Sequence, residues 1–325
     1  MSTLPVRPGA VRSLRRVLSH DGFFLVCAID HLEDFDALLG APSVDRDVRV
    51  MREKARLAGA ASAVASAVLL DPVAGIPSAV LADALAEGVG VIASIEDEDY
   101  GHPAHPRESV LREGWDASKA KAAGADMVKL LWFYRPDLVP EVAAAQRDLL
   151  AAVCRDAVTA GLTSVIEPIW HAVEGEDVHD LEWRARRDDG IVASALEAAR
   201  LGADVLKVEF PGSVSTPAER TAASDRCARL SAELEVPWVL LSAGVSLADF
   251  ETQLQIACAG GASGYMAGRS VWRDAVGDPS RDAEVVARLR SLNAIVRSYA
   301  RPAMPEVSLD DAVALPRDWY VDSIG

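Results

Sequence analysis

The sequence predicts an α/β protein folded as one (β/α)8 TIM barrel with an N-terminal lead-in and a C-terminal tail. Three observations point there. Eight short apolar runs recur along the chain, separated by stretches rich in Ala, Leu, Arg and Glu. Several of those stretches stop at glycine just before the next run, at Gly124, Gly161, Gly202 and Gly260–Gly261. Glycine is the residue that most readily ends a helix. An open nucleotide-binding sheet would carry a GxGxxG or GxxxxGK[ST] loop after a strand, and neither pattern occurs. One domain is expected over residues 1–325, with the barrel at about 23–300.

In chain order, residues 1–20 read as a lead-in containing a helix. The apolar runs are Phe23–Asp30, Val64–Asp71, Val89–Glu96, Ala125–Phe133, Leu162–Trp170, Ala203–Phe210, Val236–Gly244 and Ser263–Arg269. Near-continuous apolar character fits strands covered on both faces of a parallel sheet. Between them, helices are expected at Ser109–Ala123, Pro140–Ala160, Ile191–Leu201, Pro217–Leu234 and Leu247–Ala259. Gly-Ala-Asp at 124–126 recurs at 202–204, the same helix-to-strand junction used twice. The stretch Arg301–Gly325, with Trp319 and Tyr320, is expected to pack across the barrel or against a neighbouring subunit.

Composition narrows the function classes. Half of the residues are hydrophobic and a quarter charged, as in ordinary globular chains. A net charge of −16 suits neither nucleic acid nor an anionic membrane. No apolar run approaches the roughly 20 residues that span a bilayer. Met1–Gly9 lacks the apolar core of a secretory leader. Cys27, Cys154, Cys227 and Cys258 are widely spaced, as reduced thiols in a cytoplasm would be. His102 and His105 sit in a Pro-rich loop with no third ligand near, so no metal and no cofactor are expected there. A hydrated face is the expectation for the acidic run at 96–99, apart from Glu96 at the strand end.

The strand ends carry the chemistry. Residues two apart share a strand face. Met127, Lys129 and Leu131 therefore point one way and Val128, Leu130 and Trp132 the other; Val205, Lys207 and Glu209 oppose Leu206, Val208 and Phe210. Both lysines are expected inside the barrel. The chain has only five lysines, against 28 arginines, so two in interior strands are not generic surface charge. A buried amine beside a second cation can become a free nucleophile toward carbonyls, and a carboxylate can carry the protons. Other runs end in Asp30, Asp71, Glu96, Glu167, Ser242 and Arg269, at the face where barrels hold their active sites. Lys129, Lys207 and Glu167 together form the equipment of a metal-independent aldolase. Parity does not say which lysine attacks. Small residues in LSAGVS (241–246) and AGRSVW (267–272) leave room for a phosphate.

Read in order, AIDH (28–31), LLDP (69–72), GADMVKLL (124–131), IEP (166–168), ADVLKVEFP (203–211), LSAGVS and GRSVW resemble the class I tagatose 1,6-bisphosphate aldolase family and its sulfofructose-phosphate aldolase relatives. The resemblance implies Lys207 as the Schiff-base lysine, Lys129 as its electrostatic helper and Glu167 as general acid/base. It places Asp30 in the substrate pocket, and puts Ser242, Gly244, Gly268 and Arg269 around the phosphate of the dihydroxyacetone-phosphate half. The implied partner is a small sugar phosphate, and a homo-oligomer is expected. Where the family usually carries Gln-Arg after the first aspartate, this chain has His31-Leu32. That predicts a weak requirement for a second anion, unless an arginine such as Arg135 replaces the missing cation. The alternatives are a Schiff-base aldolase with another donor, such as a deoxy-sugar phosphate, and a non-catalytic sugar-phosphate-binding barrel.

Overall fold

The computed structural model describes residues 7–40, 45–97, 107–304 and 307–315. Eight parallel strands close into a barrel in sequence order. They are β1 (Phe24–Ile29), β2 (Ala67–Leu70), β3 (Gly90–Ser94), β4 (Met127–Phe133), β5 (Thr163–Ile169), β6 (Val205–Val208), β7 (Trp238–Leu241) and β8 (Gly264–Ala267). Each falls within one of the eight apolar runs, and β8 pairs back onto β1. Helix α1 (Pro8–Val17) precedes the barrel; α2 (Glu33–Leu38) and α3 (Arg46–Ser62) follow β1. Next come α4 (Gly75–Leu81), α5 (Ala117–Ala122), α6 (Pro140–Thr159), α7 (Leu181–Arg200), α8 (Pro217–Glu233) and α9 (Leu247–Ala259). Past β8 lie α10 (Arg269–Trp272), α11 (Asp282–Tyr299) and, in the tail, α12 (Leu309–Ala314).

Strand parity sorts the core into two layers. Val128, Leu130, Trp132, Leu206, Val208 and Phe210 pack outward against the helices. Met127 and Val205 point inward with Phe24, Val26, Leu69, Ile92, Val165, Val239 and Met266. Burying each such aliphatic side chain contributes roughly 1.5–3 kcal/mol. None of the described helices is long and apolar enough to cross a membrane.

The strand N-termini are closed by α1. Its Leu14 and Val17, with Leu18 just beyond, complete the inner apolar layer. Ser13 Oγ donates to the Asp126 carbonyl and accepts from the Thr163 N–H at 3.0 Å. Ser66 Oγ donates to the Val17 carbonyl at 2.7 Å. Only glycine fits at the start of β3, because a Cβ on Gly90 would stand 2.4 Å from the Arg16 carbonyl oxygen. The tail crosses this same end. Ala303 N–H donates to the Gly22 carbonyl at 2.7 Å, and residues 307–315 flank a groove against α1. Trp319 and Tyr320 lie outside the described residues.

Two helices differ from expectation. The one expected from Ser109 starts at Ala117, where Asp116 caps it by accepting from Lys119 N–H at 2.9 Å. Residues 107–112 instead fold back over the barrel mouth: Asp97 N–H donates to Val110 O at 2.7 Å, and Arg112 N–H to Ile95 O at 3.0 Å. The helix expected from Ile191 begins at Leu181, with Asp180 as cap. Gly190, just before the expected start, lies inside it. A Cβ there would stand 2.3 Å from the Trp170 ring, so the glycine serves packing.

Candidate active site

The interior changes character abruptly toward the strand C-termini. Asp30, Lys129, Glu167 and Lys207 stand two residues beyond the apolar Ala28, Met127, Val165 and Val205, on the same strand faces. All four are buried. Charges so placed are costly unless paired, and they are paired here. Lys129 Nζ donates to Asp30 Oδ2 at 3.0 Å and to Glu96, and lies 2.9 Å from Glu167 Oε2. Lys207 Nζ donates to the same Glu167 oxygen at 2.9 Å. Among the described residues no other carboxylate comes within ion-pair distance of Lys207. The β5–β6 register, Val165 opposite Val205, continues upward to set Glu167 beside Lys207. Glu96 also accepts from Leu131 N–H at 3.2 Å, which ties it to β4.

This pairing sets the protonation states. Burial alone would raise the Glu167 carboxyl, but the charges of Lys129 and Lys207 outweigh it and hold the group below its usual range. Asp30 is lowered in the same way, burial opposing and the two lysines prevailing. Its Oδ1 has no hydrogen-bond partner among the described residues. Beside it, burial drops His31 to about 4, so that ring is neutral near pH 7. Glu209, two residues past Lys207, goes the other way: burial raises it, although Arg187 lies 2.7 Å away and Trp170 N–H donates to it at 3.0 Å.

A cavity of about 440 Å³ opens over these groups. Ser242, Gly244, Gly268 and Arg269 line its β7–β8 side. Ser242 Oγ accepts from Gly268 N–H at 3.2 Å, which joins the two loops. Ala243 and Gly244 both take positive φ, 49° and 71°, in the turn between β7 and α9. The Arg269 guanidinium pairs with Asp34 on α2. All eight residues singled out in the sequence for catalysis and substrate therefore border one cavity.

Other strand-end charges are structural. Asp71 pairs with the fully buried Lys54 and accepts from Val73 and Ala74 N–H at 2.9 and 2.7 Å. Lys54 also donates to the His31 carbonyl at 2.6 Å and so fixes the turn after β1. Arg135 is no replacement for a missing cation at the cavity. Asp137 and Glu176 hold it at 2.8 and 3.0 Å, and its guanidinium lies 4.4 Å from the Trp170 ring centre. His102 and His105 lie outside the described residues. Among the lining residues not singled out as site residues are Arg107 and Glu209. Parity did turn Glu209 inward. The signal for Arg107 was its position, the sole Lys or Arg between Glu96 and Arg112.

Residues 25–274 match the model of the DeoC/LacD family aldolases. Tagatose 1,6-diphosphate aldolase 2 of Enterococcus faecalis is 25% identical over 287 residues, covering 84% of this chain and 86% of its own. The tagatose 1,6-diphosphate aldolase of Lactococcus lactis is 26% identical, covering 85% of this chain and 89% of its own. Among solved structures, the fructose-bisphosphate aldolase from Slackia heliotrinireducens superposes with a TM-score of 0.64 at 17% identity, covering 94% of each chain. That likeness speaks to the barrel alone.

Proposed function

The chain belongs to the DeoC/LacD family of aldolases, and from that premise we propose a class I, Schiff-base cleavage of a ketose 1-phosphate to dihydroxyacetone phosphate and an aldehyde. The observation that carries this reading is Glu167 Oε2, one carboxylate oxygen within 2.9 Å of both interior lysines. An amine nucleophile, a second fixed cation and a shared proton carrier meet at one point. Three carboxylates around Lys129 favour its charged form, so it acts as the cation. Lys207, with one carboxylate partner among the described residues, is the nucleophile.

Lys207 passes a proton to Glu167, and its free amine attacks the C2 carbonyl. Proton exchange through Glu167 moves a proton from nitrogen to oxygen, and water leaves the carbinolamine to give an iminium ion. The Glu167 carboxylate then takes the C4 hydroxyl proton. The C3–C4 bond breaks, its electron pair flows into the iminium, and the aldehyde departs. Glu167 returns the proton to C3 of the enamine, and water hydrolyses the resulting iminium to release dihydroxyacetone phosphate and Lys207. Asp30 Oδ1, without a hydrogen-bond partner among the described residues, is placed to accept from a substrate hydroxyl. Ser242, Gly244, Gly268 and Arg269 supply the phosphate end. The relatives named tagatose 1,6-diphosphate aldolase support a phosphorylated ketose as substrate.

The test is covalent. Borohydride reduction in the presence of dihydroxyacetone phosphate should fix the ligand on Lys207, located by peptide mass mapping. Lys207→Arg keeps the charge but should lose nearly all turnover. An adduct on Lys129, or none at all, overturns the assignment.

A further inference from the structure

Most of the charged side chains around the cavity are ion-paired among the described residues. Lys129 and Lys207 face Asp30, Glu96 and Glu167; Arg269 faces Asp34; Glu209 faces Arg187. Arg107 lines the same cavity, and among the described residues no carboxylate lies within ion-pair distance of its guanidinium. In a chain of net charge −16, an arginine at a cavity wall with no carboxylate partner among the described residues is a selective feature.

Its position is built by several contacts. The Arg107 N–H donates to His171 Nε2 at 3.0 Å, and burial holds that imidazole at about 4, leaving it a neutral acceptor. Two residues on, Ser109 N–H donates to Gln146 Oε1 at 3.1 Å, and Gln146 Nε2 returns a bond to the Ser109 carbonyl at 3.1 Å. Ser109 Oγ accepts from Phe133 N–H at 2.8 Å. The guanidinium lies 5.6 Å from the Phe133 ring centre, at the end of β4. A guanidinium held over an aromatic face still has N–H groups to offer an oxyanion.

The barrel order says which end of a substrate it would meet. In a closed ring of eight, β4 stands opposite β8. Arg269 follows β8 and Arg107 sits at the end of β4, so the two arginines occupy opposite sides of the mouth, with Lys207 and Glu167 on the arc from β4 to β8. A ketose with its 1-phosphate at Arg269 and its C2 at Lys207 extends its other end toward Arg107. The turn after β1 offers no such cation, since Leu32 has no donor and His31 is neutral.

We propose that Arg107 recognises an oxyanion on the aldehyde half of the substrate, making this aldolase selective for a ketose 1-phosphate with a second anionic group. This rests on the reading of the site as a ketose 1-phosphate aldolase. It replaces the weak second-anion requirement expected from His31-Leu32 with a specific one served from the segment between β3 and α5. Arg107 acts on specificity, so its removal should divide the two substrate classes.

The experiment compares kcat/KM for cleavage of fructose 1,6-bisphosphate, fructose 1-phosphate and a 6-sulfonated ketose 1-phosphate by wild type, Arg107→Gln and Arg107→Lys. Wild type should favour a doubly anionic substrate by about tenfold to a hundredfold, the range of a charge-assisted hydrogen bond. Arg107→Gln should abolish that preference while leaving fructose 1-phosphate within about threefold, and Arg107→Lys should restore part of it. The larger arginine-dependent preference tells phosphate from sulfonate. An equal fall on all three substrates, or a wild type indifferent to the second anion, overturns the proposal. Calorimetry in a Lys207→Met background decides it without turnover. There Arg107→Gln should weaken the bisphosphate alone by about tenfold or more, and an unchanged affinity ratio overturns it. If none of the ketoses is cleaved yet the binding ratio shifts, the cleavage reading fails and the recognition by Arg107 stands.

Discussion

Replacing Glu167 by glutamine removes one negative charge from between two ammonium groups and keeps the side-chain volume. Each Nζ lies 2.9 Å from the same oxygen, so the two charges stand at most about 6 Å apart. At that separation and an effective dielectric constant of about 20, like charges repel by about 3 kcal/mol. Lys129 keeps Asp30 and Glu96, whereas Lys207 keeps no carboxylate within ion-pair distance among the described residues. The repulsion therefore falls on Lys207 and favours its neutral, nucleophilic form. The proton carrier for C–C cleavage is gone, and its loss costs typically 10²–10⁴-fold. In Glu167→Gln, the reductive trapping of dihydroxyacetone phosphate should accordingly form more slowly, because Glu167 no longer relays the protons of imine formation, yet still reach full stoichiometry and extend to lower pH than in wild type, while cleavage falls by two to four decades. The assay pairs borohydride trapping across a pH series with a coupled measurement of released dihydroxyacetone phosphate. Unimpaired cleavage would refute the proton-carrier role. Trapping lost together with cleavage would show that Glu167 is needed to form the imine at all, and the electrostatic reasoning would fail.

At the phosphate side, Arg269→Ala should raise KM for a ketose 1-phosphate by one to two decades while sparing its unphosphorylated analogue, because a charge-assisted contact contributes about 1.5–3 kcal/mol. Asp34→Asn should instead lower that KM a few-fold, since the half-exposed pair restraining Arg269 is weak, about 1 kcal/mol or less; equal losses on both substrates in Arg269→Ala would mark the arginine as structural. For pH dependence, His31 sits at about 4 when folded against an ordinary value of 6.5. Between those values the unfolded chain takes up a proton that the folded chain refuses, so stability falls as pH drops from 6.5 toward 4, by at most roughly 3 kcal/mol from this residue. Denaturant unfolding at pH 7 and pH 4.5 should show a smaller loss in His31→Asn, and an identical loss would remove His31 from the account.

The barrel and its central residues were legible because both follow from alternation. A strand covered on both faces reads as an apolar run, and a lysine inside one must face the helices or the axis. The inward parity of Lys129 and Lys207 follows from Met127 and Val205 joining the inner layer. Contacts between loops carried no such signal. Asp71 and Asp30 close adjacent strands in similar contexts, yet Lys54, from a helix between them, occupies Asp71 while Asp30 turns to Lys129. Arg135 looked available in sequence because Glu176, its second clamp, lies 41 residues away. The serine that anchors the Arg107 segment read as a helix start, since Ser109 is a good cap and its actual partners, Gln146 and Phe133, come from other elements.

The seat of α1 has a consequence for the order in which the chain assembles. Helix α1 is made early by the ribosome, but Ser13 bonds residues 113 and 150 positions later, at Asp126 and Thr163. Three strands precede the first of these partners and four the second, and β1 must wait for β8, which ends at Ala267. Contacts at such separations incur loop-closure entropy long before they return any stability, which slows folding and leaves the barrel edges exposed meanwhile. During synthesis, the apolar side of α1 and the open edge of β1 are thus the surfaces a chaperone would meet first, well before the lysines have a cavity around them.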